Sequence, residues 1–201
     1  MGDDRILTIT EQIVQKLRHD IYSEKLQPNL QLKETEVAER FGVSRGPVKQ
    51  AFIQLTKEGL LEAKPNIGVR VAEKPNDDVH KLLKKMRRDI ETFAGLHMAE
   101  ILTDEDSLRL DNLLEWFRLA CESGDIIKVR ESDFELHEYI ISRYEDSHLY
   151  DTWNFLILRM MMRYNRLSSL KDSYSEHKKI IDAIKSRDKD LIIKTVNQNI
   201  Q

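Results

Sequence analysis

Three short stretches of this chain carry residue types that can do chemistry. "ESDFELHEYI" places Asp133 and His137 four apart. On a helix a carboxylate and an imidazole at that spacing share one face and can chelate one ion. "YSEHKKI" supplies a further imidazole, His177, whose neighbours at i+3 and i+4, Ile180 and Ile181, mark an inward face. A carboxylate with imidazoles suits Zn, Ni, Fe or Mn, and ligand type does not choose among them. Taken alone, an Asp-x3-His pair is more often a solvated ion pair. The third stretch, "FGVSRGPVKQAFIQL", is a short amphipathic segment with Val48, Ala51, Phe52 and Leu55 on one side. From Arg40 to Lys57 it holds Arg40, Arg45, Lys49 and Lys57 and no acid. A helix of that kind suits a polyanion.

These residues need elements to position them. Ile13, Leu17 and Ile21, with Val14, predict a first amphipathic helix, ended by Pro28. "KETEVAERF" predicts a second, stopped by Gly42 as a left-handed residue. Ser44 is placed to cap a third helix with its hydroxyl, with Pro47 in the first turn and Gly59 closing it. "LLEAKPNIGVRVAE" then alternates, reading as a two-stranded hairpin with Asn66 and Gly68 in its turn. Three helices and a hairpin in this order make a winged helix-turn-helix. Its third helix enters the major groove and its wing touches backbone or minor groove.

In that setting Gly46 and Pro47 give the helix a thin, rigid start for close approach to DNA. The Ser44 hydroxyl and free N–H groups can meet a phosphate. Arg45 can reach guanine edges or phosphate, with Lys49 one turn on. A Lys/Arg pair on a helix is usually a solvated face; the cap, the spacing, the acid-free run and the wing together favour DNA.

From residue 80 onward the sequence reads as helix throughout, after a polar linker at 75–79. Leu82, Leu83, Met86, Ile90, Phe93, Ala94 and His97 form one stripe. Thr103 with Asp106 predicts a capping box, and Gly124 a stop. Segments 125–143, 147–167, 173–186 and 188–200 complete six helices. The fold class is therefore mainly α: a winged helix-turn-helix over 1–74 and an all-α bundle over 80–201. Trp116, Trp153 and Met160 to Met162 read as core or dimer surface, His97 as a core histidine, and His148 as a capping or surface residue.

Bulk properties set bounds. The chain has 201 residues and a formal charge of -3. That total divides into +1 over residues 1–74 and -4 beyond, so local charge decides where a phosphate backbone docks. A single cysteine, Cys121, excludes an internal disulfide framework. No apolar run approaches the ~18 residues of a membrane span, and the N-terminus lacks a signal-peptide core. A cytoplasmic chain with no membrane partner is expected.

At this point the residues resemble a known family. "FGVSRGPVKQAFIQLTKEGLLEAKPNIGVRV" is similar to the signature of GntR-family bacterial transcription regulators, with Gly42, Val43, Ser44, Arg45, Pro47, Val48, Ala51, Leu55, Glu58, Gly59, Leu60, Pro65, Gly68 and Val71 in step. Lys49 stands where arginine is usual, Gln50 where glutamate is, and Asn29 in place of a turn glycine. Lysine keeps a phosphate contact and loses the bidentate fork. The resemblance implies DNA contacts from Ser44, Arg45, Gly46, Pro47 and Lys49, with Thr35 and the wing residues Asn66 and Gly68.

The back end resembles the FCD effector domain of the FadR subfamily in its short six-helix form. Arg87-x-x-Ile90-Glu91, Asp133-x-x-x-His137 and Glu176-His177 fall on its elements. The resemblance implies metal ligands at Asp133, His137 and His177. The fourth position, a histidine in metal-binding members, is Asn199 here, a weaker donor for a transition metal. It also implies an organic-acid effector, for which Arg87, Arg159 and Arg163 are candidate cations. The expected protein is a homodimeric regulator reading an inverted repeat in double-stranded DNA. Two alternatives stand beside it. One is a metal-dependent, hydrolase-like enzyme using Asp133, His137 and His177, with Glu138 or Glu176 as base. The other is a protein-interaction module.

Overall fold

A computed structural model describes residues 7–65, 67–163 and 169–200. Two compact units emerge: residues 1–76 with 158–164, and residues 77–157 with 165–201.

In the first unit, α1 (Ile9–Tyr22) starts at a capping box in which Thr8 and Glu11 bond each other's backbone N–H, and it buries Ile13, Val14, Leu17 and Ile21. A turn follows in which the Leu30 N–H donates to Gln27 O across Pro28 and Asn29. Asn29 has φ 69°, the left-handed geometry that asparagine tolerates best after glycine. Next come β1 (Gln31–Leu32), α2 (Glu34–Phe41), α3 (Arg45–Lys57), β2 (Leu61–Lys64) and β3 (Gly68–Val71). Gly42 ends α2 at φ 65°, as its place after Phe41 predicts. The core joins the inner faces of α1, α2 and α3 to Leu60, Leu61 and Val71, and also takes in Leu158 and Met162.

The wing differs from expectation. It is a three-stranded antiparallel sheet in the order β1-β3-β2, with Gln31 opposite Arg70 and Leu61 opposite Val71. A two-residue strand is too short to carry an alternating pattern, so β1 leaves no mark in the sequence.

The second unit holds α4 (Asp77–Ile101), α5 (Asp104–Ser123), α6 (Ile126–Ser142), α7 (Ser147–Met161, whose last residues group with the first unit), α8 (Leu170–Ser186) and α9 (Lys189–Asn199). α4 starts inside the expected linker, where Asp77 and Asp78 sit in its first turn and suit the positive helix end. α8 starts before the expected Ser173, because the Ser169 hydroxyl accepts from the Asp172 N–H. Residues 164–167, expected to finish α7, lie outside the described residues. α5 packs on α6 and α8, and α9 on α4 and α8.

The stripe on α4 turns out differently too. Its buried residues are Glu91, Ala94, Gly95, Met98 and Ala99, whereas Leu82, Met86 and Phe93 are exposed. His97 is half-buried against the Tyr144 ring. Apolar residues cover more than one side of this helix, and a polar residue, Glu91, claims the inside.

Asp106 shows how the bundle spends a buried carboxylate. It closes the predicted box with Thr103, accepts from the Tyr139 hydroxyl at 2.7 Å and pairs with Arg143 at 2.9 Å. Burial pushes its carboxyl up, but the bonds from Tyr139 and Thr103 and the Arg143 charge hold it at about 2, below 3.8. A lowered folded value means stability that is present above pH 4 and lost as pH falls toward 2. Asp106→Asn should therefore cost about 1–3 kcal/mol near neutral pH. Urea melts at pH 7 and pH 3 should show that difference shrinking in acid.

Candidate functional site

Two places gather chemically competent residues, one in each unit.

In the first unit, Val48, Ala51, Phe52 and Leu55 anchor one side of α3 in the core, so its other side must face out. Arg45, Gly46, Lys49 and Gln50 are exposed, and Pro47 is half-buried. Ser44 holds the N-cap position in extended geometry, but its side chain makes no cap hydrogen bond. The expected cap is thus geometric only, and the hydroxyl is left for another acceptor or donor. A Cβ on Gly46 would meet nothing within 4 Å, so no packing inside the chain demands glycine there. Thr35 is exposed at the start of α2. Gly68 is exposed at the wing tip with φ 90°, which favours glycine. Asn66 lies outside the described residues.

One partner was invisible in the sequence. Arg45 Nη2 donates to Glu34 Oε2 of α2 at 3.1 Å. The acid-free helix therefore does carry an acid beside it, brought by the fold from a neighbouring element.

In the second unit, Asp133, His137 and His177 come together, each offering a ligand atom within 4.8 Å of the others, all three buried. His177 Nε2 lies 2.9 Å from Asp133 Oδ1 and 3.1 Å from His137 Nε2. The outer nitrogens are committed. His137 Nδ1 faces Glu91 Oε2 at 2.9 Å, and His177 Nδ1 faces the Ser173 carbonyl at 2.7 Å. Both partners are acceptors, so both Nδ1 atoms carry hydrogen, and in the neutral ring each Nε2 is left with a lone pair. Two lone pairs and a carboxylate then converge, an arrangement that only a cation or an added proton relieves. Ligands at ~2.0–2.1 Å from a tetrahedral ion stand about 3.3 Å apart, within a few tenths of an ångström of these separations. The residues fit a metal.

Glu91 is the residue whose job the sequence did not disclose. Fully buried, it accepts from Arg87 Nε at 2.7 Å and Trp153 Nε1 at 2.8 Å besides pairing with His137. Burial opposes its charge, yet Arg87 and His137 and the bond from Trp153 lower its carboxyl to about 2. Burial likewise opposes Asp133, which the bond and charge of His177, with His137 and Arg87, hold below the usual carboxylate range. Only its place after Arg87 in a recognisable motif hinted at Glu91.

Among the other expected residues, Asn199 Nδ2 lies 3.5 Å from His177 Nδ1, on the far side of the ring from Asp133. Arg87 is committed to Glu91. Arg159 donates to the Gly59 carbonyl and, at 3.3 Å, to that of Glu73, while Arg163 donates to Pro75 O at 2.9 Å. Arg159 and Arg163 group with the first unit. A cavity of about 10 Å³, room for about one water, adjoins Glu91 and His137 and is otherwise lined by Gly95, Ile140, Ile180, Ile184 and Val196.

The chain is similar to known proteins along its length. The family model for bacterial regulatory proteins of the gntR family matches residues 9–71, and that for the FCD domain matches residues 83–201. The HTH-type transcriptional repressor RspR of Escherichia coli (strain K12) is 27% identical over 202 residues, spanning 96% of this chain and 86% of that protein. The gluconate operon transcriptional repressor of Bacillus licheniformis is 26% identical over 195 residues, spanning 92% and 79%. The solved structure of E. coli McbR/YncC superposes with a TM-score of 0.81 at 23% identity, covering 98% of this chain and 95% of that one. Since the second model alone spans more than half of the sequence and the first covers the winged helix, this chain belongs to the GntR family of bacterial transcription regulators and carries an FCD domain.

Proposed function

We propose that this regulator binds operator DNA as a homodimer, under the control of a small carboxylate held through a divalent metal in the helical unit. The observation that carries the DNA reading is the exposed first turn of α3. Ser44 with an uncommitted hydroxyl, Arg45, Gly46 and Lys49 stand outward while the apolar side of the same helix is locked in the core. Helix N-terminal N–H groups and two cations suit phosphate, and Arg45 suits a guanine edge. Thr35, Gly68 and Asn66 are assigned to flanking contacts. One recognition helix reads only a few base pairs, so two copies on an inverted repeat are the natural reader. Leu82, Met86 and Phe93, exposed on α4 at spacings of four and seven, are the surface we assign to the second copy.

In the helical unit, Asp133, His137 and His177 would hold the ion, and Asn199 stands too far round the His177 ring to serve as a close fourth ligand. Glu91 and the Ser173 carbonyl orient the two imidazoles, fixing which nitrogen faces the ion. Bound there, a divalent ion supplies a Lewis-acid site with positions open to a carboxylate oxygen. Arg87, through Glu91, keeps the assembly charged and rigid rather than reaching for a ligand. The hydrolase-like alternative gains no support from the relatives, which carry the names of transcription regulators.

Arg45→Ala should cost about 1–3 kcal/mol of specific duplex binding and flatten its salt dependence, read by fluorescence anisotropy against ionic strength; unchanged binding to a selected operator would remove the DNA role of α3. Glu91→Gln should weaken ion binding about 10- to 100-fold in calorimetric titrations with Zn or Mn, through loss of the His137 partner. Thermal shifts with a panel of small carboxylates should appear with metal present and vanish after chelation. Shifts that survive chelation would point to a metal-free effector.

A further inference from the structure

The acid beside the recognition helix has a consequence for how the protein tells one DNA from another. We infer that Glu34 is a positioning residue for Arg45 that penalises phosphate docking more than base docking, and so sets specificity. The inference rests on the DNA-binding role of α3 proposed above.

The two partners are not equally fixed. Arg45 is 68% exposed and Glu34 only 29%. Glu34 opens α2, where the helix's free N–H groups favour a carboxylate. Its neighbour Glu36 is occupied by Lys33 at 2.7 Å. Glu34 is therefore the anchored member, and the longer arginine leans on it. One bond joins them, from Nη2, leaving the rest of the five guanidinium N–H donors for another acceptor.

The two docking modes ask different things of this pair. A guanine edge offers neutral acceptors, O6 and N7, which Arg45 can meet with its spare donors while keeping Glu34. A phosphate is an anion. Bringing it to Arg45 sets it beside the Glu34 carboxylate, and the arginine must swing away to escape the repulsion. The carboxylate thus costs little in the groove register and more in the non-specific one. This is discrimination by repulsion against the wrong partner.

The test uses the full chain, a duplex selected from a randomised library, and a random-sequence duplex of equal length. Glu34→Gln should bind the random duplex about two- to fivefold tighter at low salt. The slope of log affinity against log salt should steepen by about one phosphate's share, ~0.9. The ratio of selected to random affinity should fall, with the melting temperature unchanged, and Glu34→Asp should recover part of that ratio. In an Arg45→Ala background the same change should lose most of its effect, because the pair acts as a unit. Unchanged random-duplex affinity and slope would overturn the inference. So would equal tightening on both duplexes, the mark of long-range charge alone. If Arg45→Ala binds both duplexes like the parent, the DNA reading itself fails; if Arg45→Ala is weak and Glu34→Gln is silent, only the role of Glu34 does.

Discussion

The second unit depends on one buried charge. Glu91 is cut off from water, and a carboxylate in that position persists only where hydrogen bonds and a cation replace its hydration. The replacements come from three helices: Arg87 a turn earlier on α4, His137 on α6 and Trp153 on α7. Removing any one partner would strand the others, which makes the set costly to vary. From this follows the geometry of the cluster. Because His137 must donate from Nδ1, its Nε2 points at His177 and Asp133, and the Ser173 carbonyl does the same for the facing ring. The appetite for a cation is written by acceptors one layer further out.

The first unit uses the reverse arrangement, with apolar packing inside and polar groups left unspent outside. Leu55, Val48 and Ala51 are wholly buried, so α3 cannot rotate, and its free face is fixed as firmly as its core face. Ser44 adopts cap geometry without using its hydroxyl, and the helix start keeps its unpaired N–H groups. A helix end left open at the surface is cheap in water and valuable to an anion. The net charge of -3 is thus no obstacle, since the field at α3 comes from its own residues and from the single acid set against Arg45.

Much of this was legible in order of how local the signal is. The capping box of Thr103 with Asp106 and the left-handed stops at Gly42 and Gly124 involve residues a few positions apart, and these fall where the sequence places them. Asp133 and His137 share a helix face for the same reason. His177 joins them from another helix through a motif rather than through spacing. What stayed hidden is tertiary. Glu34 and Arg45 meet across a turn, β1 is too short for a period, and Glu91 reaches His137 from a different helix. Arg159 and Arg163 donate to backbone carbonyls of their own unit, partners that charge and periodicity do not announce. The α4 stripe misleads for a related reason: periodicity marks an apolar face without saying which face is inside.

The charges around the cluster bear on how an anion could be held there. Near the cluster stand two carboxylates kept charged, Glu91 and Asp133, and one guanidinium, Arg87, already joined to the first of them. Counting these three groups, the local balance is one negative charge, which repels an organic acid. A divalent ion on Asp133, His137 and His177 would reverse it to one positive charge. The cavity beside Glu91 and His137 has room for about one water, too little for an organic acid. On this reasoning a carboxylate at this cluster would need the ion's charge, since Arg87, the guanidinium that the described residues place beside it, is already joined to Glu91.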